Sequence, residues 1–215
     1  MDMASRVPDW LTPVSWTFIA LALASAAAIA VDVYARGRRH RTVADEVVWV
    51  TSALYLGPFA LPLYARHGRA ARDHDPAGPP AAVAGLPGGA ASALAHLVGV
   101  PLVLVSGLTI AGIDLWVMIL VIGALAMALL FVHERAATRR RVPVRTAAAV
   151  AVLTVLAFDV GMGGWMVLLH LAELMPPATE GAFWFLMQVG IVLGLLTAYP
   201  VVTRLGRARR TAVPA

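Results

Sequence analysis

Five side chains between residues 159 and 173 have the types and spacing to do chemistry together. Asp159, Met162, Met166, His170 and Glu173 follow one another at intervals of three, four, four and three residues. At about 100° per residue they fall within an arc of roughly 80° on a helix. Such a helix carries one narrow stripe of carboxylate, thioether and imidazole, with apolar residues around the rest. Thioether with imidazole suits Cu(I), and Asp159 or Glu173 could supply negative charge or accept a proton. An ionisable group near the middle of a membrane helix is costly and is read as functional by default.

The apolar runs that position this stripe define the fold class. The chain has 215 residues, 60% of them hydrophobic, and only 13% charged. Several stretches of the length that crosses a bilayer carry no charge. The expected fold is all-α, an integral membrane bundle of six helices in a single transmembrane domain over residues 1–215. The spans fall at about 11–35, 46–64, 89–111, 115–132, 147–174 and 182–205. A Pro- and Gly-rich cytoplasmic loop covers 65–88, and a disordered tail covers 206–215. The first span is read as a retained helix instead of a cleaved leader, because basic charge follows it. Asp32 lies one turn before Arg36 and reads as an i,i+4 pair.

Gly57, Pro58 and Pro62 interrupt the second span, which leaves two paths for it. A full crossing, favoured by its apolar length, places 13 arginines inside and 4 outside. A segment that dips in and returns places 16 inside and 1 outside, as the positive-inside rule prefers. Six crossings is the path taken. Both paths leave the C-terminus cytoplasmic.

The fifth span rises outward and the sixth returns, so Met187 and Gln188 reach roughly the depth of His170. They are supporting candidates, with His96 in the third span and Glu173. Gly161, Gly190 and Gly194 allow the last two spans to pack as a tight hairpin. Cysteine is absent, which excludes disulfides and thiolate sites. Every one of the 17 basic residues is arginine, and these cluster at span ends. That arrangement fits topology setting and a lipid bilayer partner, with no nucleic acid. No G-x-S-x-G, H-E-x-x-H or Walker lysine occurs, and no nucleophile–base pair can be named, so an enzyme is the weaker reading. Two functions remain open. One is handling of a small cation, copper first, at Asp159, Met162, Met166 and His170. The other is a structural or interaction protein, a homo-oligomer or membrane partner, whose polar stripe serves helix packing.

Phe183–Leu205, FWFLMQVGIVLGLLTAYPVVTRL, resembles the C-terminal signature of a bacterial membrane family named domain of unknown function 4396. Ala53–Arg69 and Phe158–Met166 are similar to two further stretches of that family, with Asp159 where an acid is usual. The resemblance implies a polytopic protein of the bacterial inner membrane. It also implies a His-Cys metal run in the third span. Here His96 matches the histidine, but Leu97 stands at the first cysteine, so that thiolate site is lost.

Overall fold

A computed structural model describes residues 8–69, 83–137 and 142–211. Seven α-helices follow in order: α1 Leu11–Ala30, α2 Val43–Leu56, α3 Ala60–Leu63, α4 Leu86–Ser106, α5 Asp114–Ala137, α6 Val144–Leu171 and α7 Gly181–Thr211. Helix α1 continues into a π-helical turn, Val31–Ala35, and α3 into another, Tyr64–Gly68. Six helical segments are long and apolar enough to cross a membrane, α2 and α3 together forming the second. The fold is an all-α bundle, and no strand occurs among the described residues. Most of the loop expected over 65–88 lies outside them. Helix α7 runs on to Thr211, so that part of the expected tail is helical.

The second segment does not pass through. Thr42 starts α2, its hydroxyl accepting from the Asp45 amide at 3.2 Å. Asp45 and Glu46 occupy the first turn, where their charge complements the helix dipole. At Gly57 the backbone takes φ +58°, a conformation that favours glycine, and α2 ends there. Pro58 removes the next amide donor, and a short 3-10 turn, Gly57–Phe59, leads into α3. A straight helix of 26 residues would hold its ends about 38 Å apart. Instead the Trp49 and Tyr64 rings lie 5.5 Å apart, and His40 Nε2 donates to the Gly68 carbonyl at 3.1 Å. The segment is a re-entrant helical hairpin with both ends on one side, which corrects the six-crossing path. Its tip lies at the depth of Phe18, where a Cβ on Gly57 would come 2.9 Å from the ring.

The hairpin also fixes which ends share a side. Trp16, near the start of α1, packs on Gly181, which opens α7. The start of α1, the 107–114 turn and the 172–180 turn therefore lie on one face. Both hairpin ends, the end of α5, the start of α6 and the end of α7 lie on the other.

Two apolar cores hold these elements. The larger joins α4 to α7 around Val100, Ile122, Phe158, Met162 and Met187. The smaller joins α1, the hairpin and the start of α4 around Ile29, Val33, Ala53, Ala60 and Tyr64. Helices α6 and α7 approach most closely. A Cβ on Gly161 would come 2.5 Å from the Leu193 carbonyl oxygen, and one on Gly194 would come 2.7 Å from the Phe158 ring. Large apolar side chains also cover the outside, among them Phe59, Val105, Val160 and Leu171. A surface of this kind is stable in lipid and not in water.

Candidate functional site

Helix α6 turns three of the stripe residues inward. Asp159, Met162 and Met166 line a cavity of 20 Å³ between α4, α5 and α6, with room for about one water-sized body. Helix α4 adds His96, and α5 adds Ile119, Ile122 and Gly123. Met162 and Met166 are buried and Asp159 is half-buried. Gly123 lets the Asp159 carboxylate lie against α5, since a Cβ there would come 3.2 Å from Asp159 Oδ2.

His96 is buried, and its Nδ1 lies 2.8 Å from the Ser92 carbonyl oxygen one turn earlier. A carbonyl only accepts, so Nδ1 carries the ring proton and Nε2 is left as the basic nitrogen. This is the arrangement by which a backbone carbonyl orients a metal-ligating imidazole. Asp159 makes no hydrogen bond or ion pair among the described residues. The site therefore offers two thioethers, one imidazole nitrogen and one uncommitted carboxylate.

The remaining candidates lie elsewhere. His170 is half-buried in the last turn of α6 and Glu173 is exposed beyond it, and neither lines the cavity. Met187 is buried in the larger core. Gln188 faces the hairpin, its Nε2 donating to the Leu54 carbonyl at 2.8 Å, while its buried Oε1 has no partner. Among the described residues no three His, Cys, Asp or Glu side chains gather as a metal site. A wider depression of 330 Å³ opens at the 107–114 turn, but Asp114 is its only ionisable lining residue. The smaller cavity is the one that gathers an imidazole, a carboxylate and two thioethers.

A second polar cluster sits at the mouth of the hairpin. Asp32, 2% exposed, accepts from Tyr64 Oη and Arg69 Nε, each at 3.1 Å, and from Arg36 at 3.4 Å. Arg38 lies 3.7 Å away. Glu46 accepts from Arg39 Nε at 2.6 Å and from the His40 amide at 3.1 Å. The Glu46 carboxylate raises the Arg39 guanidinium above its usual range. The i,i+4 reading of Asp32 finds one of these partners. Tyr64 and Arg69 lie 32 and 37 residues away and meet it only through the fold-back.

Residues 80–208 match the family model described as Domain of unknown function (DUF4396), and the chain belongs to that family. The matched range contains the whole cavity and begins only after the hairpin-mouth cluster, which lies N-terminal to it. No curated protein and no solved structure matches the chain.

Proposed function

We propose that this DUF4396 protein handles a small soft cation, with Cu(I) as the ion, at His96, Asp159, Met162 and Met166. The observation that carries the reading is the single cavity these four side chains line, with His96 Nδ1 already committed to Ser92. Two thioethers and an imidazole are soft to intermediate ligands, which favour Cu(I) over Mg²⁺ or Ca²⁺. The Asp159 carboxylate would neutralise a monovalent ion and offset the cost of holding its charge away from water. The cavity is too small for a hydrated ion, so the ligands would have to replace its water. The metal is cargo in this reading, and no redox step is assigned to it.

Six helical segments long and apolar enough to cross a membrane support an inner-membrane location. The fold-back supports an N-terminus outside, because 16 of the 17 arginines then lie on the cytoplasmic side. The rival reading, a packing and assembly protein, draws support from Gln188, which ties α7 to the broken end of α2.

The test is Cu(I) binding by the full chain in detergent, measured by competition with a chromophoric chelator. One bound ion per chain is expected. Met162→Leu with Met166→Leu should abolish it, and His96→Ala should weaken it at least ~10-fold. His170→Ala should leave it unchanged. No binding by the wild-type chain, or undiminished binding by the double-leucine variant, overturns the copper reading.

A further inference from the structure

We propose that the hairpin mouth is a binding site for the phosphate headgroup of an anionic phospholipid, held by Arg36, Arg38 and Arg69. These arginines come from two segments of the chain, after α1 and after α3, and converge on one buried carboxylate, Asp32. Two of them share an unusual origin. Arg36 and Arg69 each follow a π-helical turn and close it, Arg36 N to the Val31 carbonyl at 3.0 Å and Arg69 N to the Tyr64 carbonyl at 2.9 Å. π-helical turns re-aim the side chains that follow them and recur at functional sites. Here both deliver a guanidinium to the same acid.

Asp32 holds the arginines without consuming them. Each guanidinium has five N–H donors, and each lies near Asp32 through a single nitrogen. Their side chains remain 65%, 40% and 42% exposed. Among the described residues three positive charges face one negative charge, so the group keeps a surplus of two. Arg39 does not add to it, because Glu46 pairs with it. Tyr64 Oη makes the second 3.1 Å bond to Asp32 Oδ2, which leaves the carboxylate fixed from inside and the donors turned outward. A planar fork of this type matches phosphate oxygens, and its prior ordering lowers the entropy cost of binding.

The place favours a lipid over a soluble anion. The arginines begin where the apolar length of α1 ends, the depth at which headgroup phosphates lie. Below them on the same turn, Val31, Tyr34 and Ala35 are exposed and apolar or aromatic. A ligand with a phosphate and an acyl chain covers both. This site is independent of the α4–α6 cavity and does not rest on the copper reading.

The experiment uses the full chain in detergent, supplied with phosphatidylglycerol or phosphatidylcholine, with retained lipid read by native mass spectrometry. Wild type should retain phosphatidylglycerol ~10-fold over phosphatidylcholine. Arg36→Gln with Arg38→Gln should lower that retention by about tenfold while the helical circular dichroism is unchanged. If the double variant does not fold, Arg38→Gln alone, the most distant contact, should lower it by roughly fivefold. Arg207→Gln, an exposed arginine on the same side in α7, should have no effect. Inorganic phosphate at millimolar level should not displace the lipid. Equal retention of both lipids, an Arg207→Gln loss as large as the double variant's, no loss in the folded arginine variants, or displacement by inorganic phosphate each overturns the proposal.

Discussion

Asp32 and Asp159 are both acids on long apolar helices, and they are held in opposite ways. Asp32 is covered by Tyr64 and three arginines from two segments. Asp159, in the α4–α6 cavity, has no polar partner among the described residues and shares the lining with two glycines, two isoleucines, two methionines and His96. Desolvating a carboxylate costs several kcal/mol unless charge and hydrogen bonds offset it. At Asp32 that offset is in place, so the acid organises its surroundings. At Asp159 no such offset is found among the described residues. The contrast separates an acid that stabilises a fold from one whose environment calls for a cation or a proton.

The largest effect that can break this comparison is topological. The Asp32 cluster exists only if the second segment returns to its starting side. The chain has no cysteine, so single cysteines report without background. Arg41→Cys and Arg66→Cys, both exposed, should react with an impermeant maleimide from the same side as Arg207→Cys. Thr179→Cys, also exposed, should react only from the other. Labelling of Arg41→Cys and Arg66→Cys from opposite sides would remove the hairpin and the cluster with it.

The next effect compares the two acids directly. Asp32→Ala leaves three guanidiniums and a tyrosine without their shared acceptor. Because those arginines are partly solvated, the expected loss is about 2–3 kcal/mol, below the range for a fully buried pair. Asp159→Asn removes no interaction and relieves an uncompensated desolvation, so it should leave stability unchanged or raise it by up to about 1 kcal/mol, and on the copper reading it lowers Cu(I) affinity. Thermal unfolding in detergent, read by circular dichroism, checks both. A stability loss at Asp159 as large as at Asp32 would assign the two acids the same structural role.

A smaller effect tests the floor beneath the cavity. Gly161 lies on the α6 face that meets α7, where a Cβ would come 2.5 Å from a backbone oxygen that cannot swing away. Gly161→Ala should cost about 1–3 kcal/mol. Gly164, one turn on, has nothing within 4 Å of its Cβ position, so Gly164→Ala should be neutral or slightly stabilising through helix propensity. The same unfolding measurement separates them.

The division between legible and illegible features follows from distance along the chain. Helical period alone places Asp159, Met162 and Met166 on one face, and they line one cavity. The same period carries His170 onto that face, but the cavity closes before the last turn of α6. His96 enters through the choice of neighbouring helix, which no spacing within one span encodes. Gly57 and Pro58 mark a break, but a kink and a reversal share that signal. What distinguishes them is contact between Trp49, Tyr64 and Asp32, residues from three separate stretches. The Arg36 pair is visible at four residues' separation, whereas Arg69 is invisible at 37.

Gln188 gives a small expected effect and the finest test of what a buried polar group does here. The reversal at Gly57 orphans the last carbonyls of α2, because no following helical amides reach them. Leu54 is one of these, and Gln188 Nε2 supplies its donor from α7. The same amide leaves Oε1 buried and unpaired. Gln188→Leu therefore loses one hydrogen bond and relieves one unsatisfied acceptor, two terms of opposite sign and similar size. The expected net loss is about 1 kcal/mol or less, read as a small fall in thermal midpoint. Gln188→Glu should cost more than Gln188→Leu, since it puts a charged acceptor against an acceptor. If Gln188→Leu instead costs as much as Asp32→Ala, the end of α2 depends on α7 as strongly as the hairpin mouth depends on its arginines.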